Sequence, residues 1–130
     1  MTDRDVISTE GAPPAAGPYS QAIRAGDLVF TAGQLGLDPA TGEMAGEGVA
    51  EQAERALRNL AAILEAAGSG MDRLVKVTVF LADIGDWPAV NEVYARQVPE
   101  PFPARSAFAV RDLPRSARVE IEAVATVGVG

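Results

Sequence analysis

Hydrophobic and polar residues change their spacing several times along this chain, and each change predicts an element. Between Tyr19 and Gly36, two β-like runs flank Ala25-Gly26-Asp27, a hairpin pattern in which Gly26 supplies the unusual dihedrals of the turn. Asp38-Pro39-Ala40-Thr41-Gly42 is a second turn signal. From Gly48 the period lengthens. Val49, Ala53, Leu57, Leu60, Ile63, Leu64 and Ala67 recur at three and four, with Glu51, Glu54, Arg55, Arg58 and Glu65 mostly on the other side. That pattern predicts a helix, with Gly68 at its C-terminal stop. Leu74 to Asp83 is β-branched and nearly continuous in apolar character, as expected of a central strand covered on both faces. Asp86 is a candidate cap for a second helix that tolerates Pro88 in its first turn and runs to about Gln97. Val90, Val93, Tyr94 and Gln97 give this helix a partial apolar stripe, and Trp87 reads as packing.

Prolines break the remaining chain. Pro99-Glu-Pro-Phe-Pro103 lacks the backbone donors that a helix or a central strand needs, and residues 11–18 (GAPPAAGP) suit an ordered loop. A short strand, Ser106–Arg111, a turn at Leu113-Pro114 and a final strand from Ala117 to about Val127 complete the order β-β-α-β-α-β-β. The expected fold is α+β, one mixed sheet with two helices packed on one face, in a single domain over residues 1–130. Such a sheet must hide its other face, and oligomerisation is the expected means.

Composition removes whole classes of chemistry. The chain has no histidine and no cysteine, which excludes Ser-His-Asp and Cys-His catalysis, Cys/His zinc sites and disulfides. No metal or cofactor is expected. Acidic residues number 18 against 11 basic ones, for a net charge of −7, so nucleic acid and anionic membrane are poor partners. The N-terminal residues lack the apolar stretch of a secretory signal and no run reaches the roughly 20 residues that span a bilayer, so a soluble cytoplasmic protein is expected.

Three places combine polar groups with rigid or apolar neighbours. Arg105 follows the proline segment in Pro103-Ala104-Arg105-Ser106-Ala107; a guanidinium pre-oriented in this way suits a bidentate carboxylate, although a solvated surface Arg has the same local signature. In Arg118-Val-Glu-Ile-Glu-Ala-Val-Ala, period two puts Val119, Ile121, Ala123 and Ala125 on one face and Glu120, Glu122 and Val124 on the other. A carboxylate there is either the outer face of an amphipathic strand or, at an enclosed interface, a general base with a raised pKa. Spacing alone does not separate Glu120 from Glu122. Third, Gly17-Pro18-Tyr19-Ser20 and Thr31-Ala32-Gly33-Gln34 could present the Tyr19 hydroxyl and let backbone at Gly33 approach a ligand, or be a core tyrosine and a bulge.

These segments together resemble the RidA/YjgF family of reactive intermediate/imine deaminases over essentially the whole chain. The resemblance is carried in order by Gly17-Pro18-Tyr19-Ser20-Gln21-Ala22, Thr31-Ala32-Gly33-Gln34, Asp38-Pro39-x-Thr41-Gly42, Val75 to Leu81, Val90-Asn91-x-x-Tyr94, Pro103-Ala104-Arg105-Ser106 and Leu113-Pro114 leading to Val119-Glu120-Ile121-Glu122-Ala123. It implies a chorismate-mutase-like fold, a homotrimer with clefts between subunits, and hydrolysis of 2-imino acids to 2-oxo acids and ammonia. It also implies that Arg105 clamps the substrate carboxylate, that Glu120 handles the hydrolytic water, and that Tyr19, Gly33, Asn91 and Ala107 contact substrate. Many relatives carry Cys where this chain has Ala107, a position whose role resembles backbone donation, so its loss should be tolerated while thiol-based regulation is out of reach. A small-carboxylate sensor, a chaperone-like member, a nuclease and a deaminase of another enamine acid are the competing expectations. Leu35, Phe102 and Phe108 are the candidate rim residues for side-chain selectivity.

Overall fold

A computed structural model of the protein describes residues 3–128. The strands are β1 (Asp5–Ile7), β2 (Ala22–Ala25), β3 (Leu28–Thr31), β4 (Leu74–Leu81), β5 (Ala104–Ala109) and β6 (Val119–Thr126); the helices are α1 (Val49–Ala66) and α2 (Trp87–Gln97). α1 begins where the three-four spacing predicts. Gly48 is its N-cap, the Glu51 carboxylate accepts the Gly48 N–H at 3.3 Å, and the chain leaves the helix through Gly68 at φ +80°.

The strands form one sheet in the order β1-β2-β3-β6-β4-β5. Every pairing is antiparallel except β4 with β5, which α2 joins as a crossover. Alternation along β6 sends Val119, Ile121 and Ala123 into a core shared with Val77, Val79 and Leu81 of β4, with α1 through Ala53, Leu57 and Leu60, and with α2 through Val90, Val93 and Tyr94. Both helices therefore cover the same face, as the sequence predicts. No helix among the described residues is long and apolar enough to cross a membrane.

Four expectations need correction. The sheet gains a strand, β1, which precedes the proline loop; three residues carry too short an alternation to be read from sequence. The predicted Ser106–Arg111 strand starts two residues earlier and ends at Ala109. β4 is covered by the helices on one face only, leaving Lys76, Thr78 and Phe80 half-buried on the other, so its continuous apolar run serves two different surroundings. Asp86 does occupy the N-cap position of α2, but its carboxylate makes no cap bond and instead accepts from the Arg118 guanidinium at 2.9 and 3.0 Å. A charge-assisted bond to Arg118, just before β6, outcompetes the local backbone N–H groups.

Buried polar side chains pin the loops to this frame. Gln21 donates to the carbonyls of Thr9, Ala12 and Pro13 and accepts from the Thr9 N–H, which ties the proline loop to the start of β2. Asn59 on α1 donates to the Leu35 and Leu37 carbonyls. Gly36 lets the same loop reach α1, since a Cβ there would meet backbone atoms of Gln52 at 2.5–2.9 Å. Gly26 at φ +61° has open space around it. Gly36→Ala should therefore cost about 2–3 kcal/mol and Gly26→Ala about 1 kcal/mol in urea unfolding; equal losses would mean that the Gly36 contact relaxes freely.

Candidate functional site

Arg105 lies on β5 opposite Val77 of β4, so its side chain leaves the sheet on the helix-covered face. There it meets α2. Its Nη1 donates to the Asn91 Oδ1 at 2.8 Å, and its Cζ stands 4.6 Å from the centre of the Trp87 ring and 4.7 Å from that of Tyr94. Residues 87, 91 and 94 are spaced by four and three, one face of a helix. Trp87, expected as packing, thus lies beside Arg105; the helical spacing of 87, 91 and 94 is visible in the sequence, but the arginine that gives it meaning arrives only with the fold. Tyr94 is 2% exposed, and its hydroxyl has no properly directed hydrogen bond among the described residues. Burial pushes its pKa up, and the Arg105 charge works against that rise. The guanidinium opens into a cleft of about 380 Å³ with Phe102, Pro103 and Ala95 on its walls.

Ala107 is presented by backbone. β5 is an edge strand, and the Val110 N–H bonds to the Leu81 carbonyl. Alternation then turns the N–H groups of Arg105, Ala107 and Ala109 toward the free edge, away from β4.

Glu120 sits on the opposite face of the sheet, in a row with Phe80 and Phe108. Gly33 lies directly against it. Paired backbone bonds between Gln34 and Ile121, 2.8 and 3.0 Å, hold the segment there, and a Cβ on Gly33 would stand 2.8 Å from the Glu120 Cδ. The glycine is therefore what lets the carboxylate fold down onto backbone, a more specific role than the bulge that sequence suggests. Burial raises the Glu120 pKa, and the neighbouring Glu122 charge raises it further. A cleft of about 660 Å³ adjoins the carboxylate, bounded by Tyr19, Gly33, Leu35, Leu37 and Arg115. Tyr19 is exposed, and its hydroxyl accepts the Ala16 N–H at 3.3 Å. Arg115 and the next residue, Ser116, hold φ of 58° and 54°, a left-handed corner without glycine.

The predicted residues therefore fall into two groups that one chain does not bring together. Arg105 and Asn91 occupy the helix side at β5; Tyr19, Gly33 and Glu120 occupy the bare side at β6, with Leu35 beside Glu120 and Phe102 beside Arg105. Phe108 packs edge-on against Phe80, 5.4 Å between ring centres, and is 44% exposed on that bare side. Among the described residues no cluster of acidic side chains has the form of a metal site.

A family model described as Endoribonuclease L-PSP matches residues 9–127. The chain belongs to the RidA/YjgF family. It is 50% identical over 125 residues to human 2-iminobutanoate/2-iminopropanoate deaminase, an alignment covering 96% of this chain and 91% of the human protein. It is also 50% identical over 124 residues to the chloroplastic Reactive Intermediate Deaminase A of Arabidopsis thaliana, covering 95% of this chain and 66% of that protein. Among solved structures, Escherichia coli TdcF with bound serine superposes with a TM-score of 0.90 at 39% identity, covering 95% of this chain and 99% of that one. The α+β fold with both helices on one face is that of the RidA family.

Glu120 supplies a test that needs no substrate. Its carboxyl carbon should titrate above the ordinary glutamate range by NMR, and Glu122→Gln should lower that midpoint by removing a like charge. A carboxyl with a raised folded pKa binds protons more tightly in the folded chain, so its stabilising contribution is complete below the unfolded pKa and is lost as pH rises through the folded one. Wild type should accordingly lose stability relative to Glu120→Gln across that window in urea titrations. A difference of the opposite sign would place the carboxylate in a cationic setting.

Proposed function

We propose that this RidA-family protein hydrolyses 2-imino acids to 2-oxo acids and ammonia in a site completed by two copies of the chain, in a homotrimer. The observation that carries the reading is the placement of Arg105 and Glu120 on opposite faces of one sheet, each beside its own cleft. A carboxylate-binding cation and a hydrolytic base serve one small molecule only if β5 and α2 of one subunit face β6 of the next. The bare sheet face supports such an assembly, with Phe30 45% exposed beside Val124 and Phe108 44% exposed beside Phe80. The relatives named 2-iminobutanoate/2-iminopropanoate deaminase support the substrate class.

Charge dictates the steps. Arg105 takes the substrate carboxylate, and the Ala107 N–H at the free edge and backbone near Gly33 fix the pose. A protonated 2-imino acid is already electrophilic at C2. Glu120, its pKa raised by burial and by the Glu122 charge, accepts a proton from water as the water oxygen bonds to C2, and the C=N pair moves onto nitrogen. The proton passes from Glu120 to the amino group of the carbinolamine. The C–N bond then breaks, ammonia leaves, and the hydroxyl oxygen becomes the carbonyl of the 2-oxo acid as its proton is released. The family model's nuclease description finds little support in a chain with net charge −7 and no histidine.

Coupling a pyridoxal-phosphate threonine dehydratase to this protein, with semicarbazide trapping free imine, tests the reading. Wild type should reduce semicarbazone formation. Arg105→Ala should lower kcat/KM by at least about 100-fold, and Glu120→Gln by about 100-fold or more. Arg105→Lys should also be poor, because a point charge cannot form the two-pronged contact. Because the two groups would come from different subunits, Arg105→Ala and Glu120→Ala chains unfolded and refolded together should regain about a quarter of wild-type activity, since each interface draws its two residues independently. No recovery on mixing would place both groups in one subunit's site. Binding of 2-oxobutanoate without any effect on imine decay would turn the reading to a carboxylate sensor.

A further inference from the structure

Arg105 is held without a counter-charge. It is exposed, and among the described residues no Asp or Glu pairs with it, in contrast to arginines 58, 96, 111 and 118, while arginines 24, 55, 73 and 115 share that lack. Its contacts are one neutral amide, Asn91, and two aromatic rings. A salt bridge would fix the side chain equally well but would consume the donors that a ligand needs. An aromatic face holds a cation through its quadrupole and leaves every N–H free.

The geometry also determines which donors stay open. Trp87 and Tyr94 are seven residues apart on α2, about 10 Å along the helix axis. Cζ of Arg105 lies 4.6 Å from one ring centre and 4.7 Å from the other, so both rings hold the cation at once, and Nη1 is bonded to Asn91 at the intermediate turn. The cleft beside it is bounded by Asn91, Tyr94, Phe102 and Pro103, none of which brings a carboxylate. The donors that Asn91 does not take are left for a two-pronged carboxylate contact.

We propose that Trp87 and Tyr94 are positioning residues for Arg105, gripping its guanidinium through their ring faces so that its remaining N–H donors stay oriented for a carboxylate. The carboxylate part of this inference rests on the deaminase reading above; the grip does not. Trp87 is partly exposed and outside the deep core, so its replacement tests the role without emptying the interior. It is also the only tryptophan of the chain, which makes its fluorescence a direct signal of events at Arg105.

Two readouts on the full chain decide it. In protein labelled with ¹⁵N-arginine, ring currents should shift the Arg105 Nε–H proton upfield of the other arginines. Trp87→Leu should remove part of that shift, and Trp87→Phe should keep most of it. In the coupled assay with threonine dehydratase, Trp87→Leu should raise the half-saturating imine concentration about three- to tenfold with kcat changed less than about twofold, and Trp87→Phe should restore it. Affinity for 2-oxobutanoate should fall in parallel. An Nε–H at the ordinary position, or unmoved by Trp87→Leu, overturns the grip. So does a Trp87→Leu variant that loses kcat with half-saturation unchanged, since that is the mark of a general structural defect. A shifted Nε–H in a wild type that neither binds 2-oxobutanoate nor speeds imine loss supports the grip and overturns the deaminase reading.

Discussion

The two-residue period of β6 is the constraint on which the rest of this molecule depends. Each side chain on a strand must take one face or the other, and Ile121 at the centre of the sheet is committed to the helices. Glu120 and Glu122 are thereby committed to the bare face, and no rotamer carries them across. The parallel partner of β4 obeys the same rule in reverse. Arg105, in register with core-facing Val77, is delivered to α2. The separation of cation and carboxylate thus follows from core packing, and the chemistry inherits it. A catalytic site built from both must be assembled across an interface.

Loop placement follows from a small number of close approaches to this frame. The bridge between Gln34 and Ile121 extends the sheet by one pair beyond β3 and lays Gly33 over Glu120. Asn59 and Gly36 fix the following residues to α1, and Gln21 fixes the proline loop that carries Tyr19. Neither of these two polar side chains, Asn59 and Gln21, is a reacting group of the clefts. Each buries its amide among backbone carbonyls that have no partner in the sheet or helices, and so converts irregular chain into walls of defined position.

Much of this was legible in the sequence because period and punctuation are local. The three-four spacing placed α1 and its glycine stop, alternation placed Glu120 and Glu122 together on one face of β6, and Ala25-Gly26-Asp27 placed the hairpin turn. Arg105 and Asn91 carried recognisable motifs, and the structure puts them within hydrogen-bonding distance. The failures share a cause, which is that they depend on neighbours distant in sequence. β1 is a strand only because β2 offers it an edge. Asp86 leaves its cap for Arg118, 32 residues away. Trp87 looks like packing until β5 brings a guanidinium to it. Gly33 has a reason only once Glu120 is known to lie underneath.

The lack of histidine and cysteine sharpens what the remaining groups must do. With neither imidazole nor thiol, the hydrolytic proton carriers open to this chain are carboxylates, phenols and its one lysine amine, and an ordinary carboxylate is too weak a base at neutral pH. Raising its pKa requires desolvation or a like charge, and both act at Glu120, where the sheet face withdraws water and Glu122 stands two residues along the same row. Arg105, held on the far side of the sheet beside Asn91, Trp87 and Tyr94, takes no part in setting that pKa within its own chain. The opposed faces of the sheet thus keep the raised carboxyl of Glu120 apart from the guanidinium that would lower it.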